Sequence, residues 1–195
     1  MVLIVVTSTS ACKKTPPAAD TDVSRSAASR APATPVAPSD CKTCALGSHH
    51  RSCAPEFITA ARDEADKPVE GTFGCGTLSG AAAQTCEALL ACIKKHHCST
   101  NGAGTAPGNN PAAGCYCGKV DPTTCLSGAG VNGPCLAEYH AAAVASVGGP
   151  SASADDAKFA GFIAPNAFEA KTAFGLADNI VACAIDARCA MCLAP

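Results

Sequence analysis

Fifteen cysteines in a chain of 195 residues constrain this protein more than any other feature. That density belongs to chains held together by disulfides rather than by a large apolar core. Cys12 stands apart near the start. The other fourteen are Cys41, Cys44, Cys53, Cys75, Cys86, Cys92, Cys98, Cys115, Cys117, Cys125, Cys135, Cys183, Cys189 and Cys192. Fourteen is even, so seven bridges can close with Cys12 left for another use. The possible pairings number on the order of 100,000, and connectivity stays open at this level.

The core available to such a chain is thin. Its apolar fraction of 48% is dominated by Ala and Cys, with no Trp, six Phe and two Tyr. Large side chains supply most burial energy, roughly 1.5 to 3 kcal/mol each. Disulfides, at about 2 to 4 kcal/mol each, are the natural compensation.

The pattern is mainly α, and strand-period alternation is nearly absent. Ser79 is placed to cap a helix from Ala81 through Ile93, with Lys94, Lys95, His96 and His97 in its last turn and Asn101-Gly102 as its stop. Pro55 opens a second helix reaching about Asp66 before Pro68. Gly133-Pro134 precedes a third through His140, finished by Gly148-Gly149-Pro150. Ser153, Asp155 and Asp156 start a short fourth, and Asn166 with Glu169 reads as a capping box for a final helix reaching Cys183. Asn101 to Gly133, rich in Gly, Pro and Asn, reads as loop.

Cys86, Cys92 and Cys98 are spaced six apart. At about 100° per residue each step turns about 240°, so the three point to different faces. One partner element cannot reach all of them, and the spacing predicts a helix stapled on several sides. The run Leu89-Leu90-Ala91-Cys92 with Cys98 also parallels Ile180-Val181-Ala182-Cys183 with Cys189. A decayed duplication and two helix ends stapled alike both account for it.

Ahead of this body the chain reads as two further segments. Residues 1–11 carry the apolar run Met1 to Val6 and then small residues into Cys12, which resembles a bacterial lipoprotein leader with Cys12 as the lipidated residue. An ordinary secretory leader is the alternative, and the cysteine content favours export either way. Residues 12–40 hold five prolines among Ala, Ser and Thr, a composition that cannot offset the entropy of ordering and reads as a disordered linker. Residues 41–195 form the cysteine-rich helical domain.

The layout Cys86-x5-Cys92-x5-Cys98, Gly114-Cys115-Tyr116-Cys117-Gly118, Cys125, Gly133-Pro134-Cys135 and a terminal cysteine cluster resembles cysteine-rich exported proteins and lipoproteins of myxobacterial type. The resemblance implies an envelope location and a stapled fold style. It implies no activity.

Among chemistry-bearing motifs, Cys41-x2-Cys44 with His49 and Cys53 falls one residue short of zinc-knuckle spacing, so Cys41, Cys44, His49 and Cys53 are the candidate zinc or copper ligands. Disulfide cysteines beside a solvated His pair are the competing reading, and an oxidising compartment favours it. His96-His97 next to Cys98 reads as solvated helix-end histidines. Cys41-x2-Cys44 and Cys189-x2-Cys192 lack the preceding strand of a thioredoxin-like pair and read as structural bridges. Neither is followed by His, which excludes covalent c-type haem. No G-x-S-x-G, H-E-x-x-H or Walker A pattern occurs. Asp20-x-Asp22-x-Ser24 has Arg25 where a calcium loop needs Gly. A net charge of −2 without a basic cluster gives no footprint for nucleic acid.

These observations lead to a mainly α, disulfide-stapled domain with long irregular loops on a flexible tether. The expected setting is the cell envelope, lipid-anchored on the outer membrane or periplasmic face, or secretion. The expected partners are the membrane, through the lipid anchor, and other envelope or extracellular proteins. The expected role is structural or interaction, with no cofactor and no catalytic residue assigned; a Cys/His metal-binding envelope protein is the alternative.

Overall fold

The computed structural model describes residues 40–98 and 114–194. The chain divides into two units, Met1–Val36 and Ala37–Pro195, and every described residue belongs to the second. The leader 1–11, Cys12, the linker as far as residue 39 and the Asn101-Gly102 stop lie outside the described residues.

Eight α-helices lie within the described residues: α1 (Cys41–Gly47), α2 (Pro55–Ile58), α3 (Gly80–His96), α4 (Pro122–Cys125), α5 (Leu136–Val144), α6 (Asp156–Asn166), α7 (Ala173–Asp186) and α8 (Ala190–Leu193). Short 3-10 turns span Arg51–Cys53 and Cys75–Thr77. Strands are absent among these residues, where a lone β-bridge joins Arg62 and Pro68. The mainly α, disulfide-stapled fold is as the composition and periodicity predict.

The organising element is α7. Every residue from Ala173 to Ala184 is buried, which an all-round apolar and small-residue sequence permits. Helices α2, α3, α5 and α8 and the Arg51–Cys53 turn pack around it. Helix α3 presents Cys86, Leu89, Leu90, Cys92 and Ile93 to the interior and also packs on α5. Phe174, Tyr139, Leu89 and Ile93 are the bulk of this core, and cysteines fill much of the remainder.

Helix starts and stops follow local chemistry, with instructive shifts. Asp40, the last residue of the predicted linker, caps α1: its carboxylate accepts from the Thr43 N–H at 2.8 Å and the Thr43 hydroxyl at 2.9 Å. Asp155 caps α6 by accepting from the Lys158 N–H at 2.9 Å. Ser79 stands at the N-cap of α3, yet its side chain makes no cap bond. Helix α3 ends at His96 because His97 turns left-handed at φ 50°.

Two predicted helices are corrected. The helix expected from Pro55 to Asp66 stops at Ile58. Thr59 is extended and buried, its hydroxyl meets that of Thr72 at 2.7 Å, and the Ala60 N–H is taken by the Thr77 hydroxyl at 2.9 Å. Asp63 then accepts from the Ala65 and Lys67 N–H groups, a local turn that competes with helix. The Asn166/Glu169 capping box is also absent. Asn166 closes α6 by donating to the Phe162 carbonyl at 2.8 Å, and Thr172 caps α7 by accepting from the Gly175 N–H at 3.1 Å. Gly175 is required there, since a Cβ would lie 2.5 Å from the Glu169 carbonyl oxygen and 2.6 Å from that of Asn166. Within the predicted Asn101 to Gly133 loop, the described part contains the short helix α4.

Candidate functional site

All fourteen cysteines of the predicted stapled domain are paired: Cys41–Cys192, Cys44–Cys189, Cys53–Cys183, Cys75–Cys86, Cys92–Cys135, Cys98–Cys115 and Cys117–Cys125. Cys86 and Cys92, on α3, bond to Cys75 and Cys135; Cys98 lies past the left-handed His97 that ends the helix, and its bridge to Cys115 comes back beside Cys92–Cys135 instead of leaving on a third face. The two C-x-x-C motifs join each other crosswise, forming two rungs between α1 and α8, so neither is an internal redox pair.

This pairing corrects the metal alternative. Zinc or copper at Cys41, Cys44, His49 and Cys53 needs thiolates, and the three cysteines are bonded instead to Cys192, Cys189 and Cys183. His49 and His50 lie exposed on the surface, and so do His96 and His97.

The buried Cys53–Cys183 bridge pins the Arg51–Cys53 turn against α7, and the surface above it is a candidate site. Arg51 stands between two grooves. One, of about 410 Å³, is lined by Leu46, His49, His50, Pro55 and Glu70. The other, of about 520 Å³, is lined by Ser52, Phe57, Phe168, Asn179 and Ala182. Phe168 is 44% exposed, and its carbonyl accepts from the buried Asn179 amide at 2.9 Å, which fixes the backbone that carries the ring. Arginine beside an exposed ring, Phe168, and a partly buried one, Phe57, is a composition enriched in protein contact surfaces. No periodicity in the sequence marks Arg51, Phe57 and Phe168 as neighbours; the adjacent His49-His50 pair is the nearest local sign.

A Ser–His–Asp group borders this surface, and its geometry argues against nucleophilic catalysis. The His50 Nδ1 lies 2.8 Å from the Ser52 hydroxyl and 3.7 Å from an Asp186 carboxylate oxygen. A triad places serine and carboxylate on opposite ring nitrogens; here both crowd the same one. The Ser52 N–H also donates to Nδ1, at 3.5 Å, so the imidazole acts as a turn cap.

Two polar networks sit deeper. Tyr139 donates to Asp178 Oδ1 at 2.5 Å, both residues are fully buried, and Asp178 Oδ2 has no hydrogen-bond partner among the described residues. Burial holds the Asp178 carboxyl well above its ordinary range, against the smaller opposite pull of the Tyr139 hydroxyl. Burial, followed by the Asp178 charge, raises Tyr139 as well. Nearby, His140 stacks on Phe159 with ring centroids 3.8 Å apart, and its Nε2 lies 3.5 Å from the Tyr116 hydroxyl. Burial pushes Tyr116 up to about 12, helped by Asp156, and pushes His140 down.

No protein-family model, curated protein or solved structure matches this chain. Class and setting therefore rest on its own features. The chain is a disulfide-rich, mainly α protein. Seven bridges indicate an oxidising, extracytoplasmic compartment. Among the described residues, no helix is long and apolar enough to cross a membrane.

Proposed function

We propose that this protein is an exported interaction module of the bacterial cell envelope, lipid-anchored through Cys12, that offers the surface around Arg51 to other envelope or extracellular proteins and performs no catalysis. The observation that carries the reading is the placement of two grooves about one arginine on a face fixed to α7 by a buried disulfide. A surface held in this way loses little conformational entropy when a partner docks. The Cys12 leader and the Pro/Ala/Ser tether support the anchored setting, and the crosswise pairing of the C-x-x-C motifs supports a structural use of those cysteines.

The test is photo-crosslinking in the native envelope from a benzoylphenylalanine placed at position 168, beside intact-mass measurement of the alkylated, unreduced protein. The expected result is a discrete adduct that disappears in Arg51→Glu, and a mature chain beginning at Cys12 with acyl mass and no alkylated cysteine. An Arg51-independent smear of adducts would overturn the binding surface. An unlipidated chain would overturn the anchor.

A further inference from the structure

The seven bridges are not equally isolated. Cys92–Cys135 and Cys98–Cys115 lie side by side, with the Sγ atoms of Cys98 and Cys135 3.8 Å apart. The sulfurs of Cys98, Cys115 and Cys135 fall within 4.8 Å of one another, and no other three cysteines among the described residues do so. Such contact allows a thiolate released from one bridge to attack the other without large movement of either helix. We propose that Cys92, Cys98, Cys115 and Cys135 form a thiol–disulfide exchange unit with two alternative pairings, opened by a small thiol at Cys92.

Within the Cys92–Cys135 bridge, exposure distinguishes the two sulfurs. Cys92 is 7% exposed and Cys135 is fully buried, so Cys92 is the outer sulfur of its bridge. Its Sγ lies 3.6 Å from the carbonyl oxygen of the exposed residue Pro134, and local opening of that turn uncovers it. The incoming thiolate bonds to Cys92 Sγ, the Cys92–Cys135 bond breaks, and its electron pair leaves on Cys135. The Cys135 thiolate then bonds to Cys98 Sγ, breaking Cys98–Cys115 and leaving the pair on Cys115, which takes up the proton the external thiol gave up. One external thiol is held as a mixed disulfide, one protein thiol appears, and nothing is oxidised or reduced overall. The Glu138 carboxylate lies within 4.8 Å of the Cys92 and Cys135 sulfurs, so its charge slows the approach of the external thiolate to Cys92 and then bears on the second step. Negative charge there disfavours a thiolate on Cys135 and favours passing it to Cys115.

The test is brief treatment of the intact, unreduced chain with limiting 2-mercaptoethanol, trapping with N-ethylmaleimide, and peptide mapping without reduction. The first species altered within this cluster is expected to carry mercaptoethanol on Cys92, a Cys98–Cys135 link and maleimide on Cys115, whether or not the more exposed Cys41–Cys192 and Cys44–Cys189 bridges have also reacted. In the double variant Cys98→Ser with Cys115→Ser, maleimide is expected on Cys135 in place of the transferred link. A first product with Cys135 alkylated and Cys98–Cys115 intact would overturn the proposal.

Discussion

Replacing Asp178 by Asn isolates the energetic consequence of the carboxyl buried in α7. The side chain is fully buried, one oxygen accepts from Tyr139 and, among the described residues, the other has no partner, so burial raises the pKa of the folded form. In the unfolded chain the same group ionises near about pH 3.9. A carboxyl whose folded pKa is raised favours the folded state fully below its unfolded value, and that advantage is lost as pH rises towards the folded one. While the folded group stays protonated and the unfolded one is ionised, the loss is about 1.4 kcal/mol per pH unit. Asn keeps an acceptor for Tyr139 and cannot ionise. Its amide N–H groups bring an unpaired-donor cost of roughly 1 to 3 kcal/mol, but that cost is independent of pH. The difference in stability, Asp178→Asn minus native, is therefore expected to grow as pH rises from about 4.5 to about 6.5, at no more than about 1.4 kcal/mol per pH unit. Urea denaturation of the disulfide-intact proteins at several pH values measures it. In melting temperature each pH unit is worth about 3 to 5 °C for a domain of this size. A difference that stays flat across this window would refute the reasoning, because Asp178 would then titrate alike in both states.

Other features of the fold make separate predictions. Gly175→Ala is expected to lower stability by about 1 to 3 kcal/mol despite better helix propensity, because its Cβ would meet the Glu169 and Asn166 carbonyl oxygens; thermal melting checks it. Thr172→Ala should cost about 1 kcal/mol through the lost cap of α7, while Ser79→Ala should cost much less because Ser79 makes no side-chain cap bond; paired urea titrations separate them. The rungs Cys41–Cys192 and Cys44–Cys189 are nested, so with one retained the other closes only a short ring. Removing one rung by a Cys→Ser pair is expected to cost about 2 to 3 kcal/mol, against roughly 5 for an isolated bridge of that span, with amide exchange rising in α1 and α8 only when both rungs are gone.

Much of the architecture is legible in the sequence because it depends on local or statistical physics. Fourteen cysteines beside few large apolar side chains require a stapled fold in an oxidising compartment, and six-residue spacing turns Cys86 and Cys92 to different faces of α3 whatever their partners are. Asp155 declares its helix start because an N-cap needs only the next few N–H groups. The tertiary structure alone decides which distant groups meet. Cys53 and Cys183 lie 130 residues apart in sequence, and their pairing depends on how the intervening helices pack around α7. Thr59 leaves helix because hydroxyls of Thr72 and Thr77 compete for its segment, and the cap of α7 falls at Thr172 because Asn166 is already turned back onto α6. Arg51, Phe57 and Phe168 become one surface, and Asp178 a buried acid with a raised pKa, for the same reason. Exposure, dielectric environment and contact between remote segments are properties of the packed chain, and no local pattern of residues encodes them.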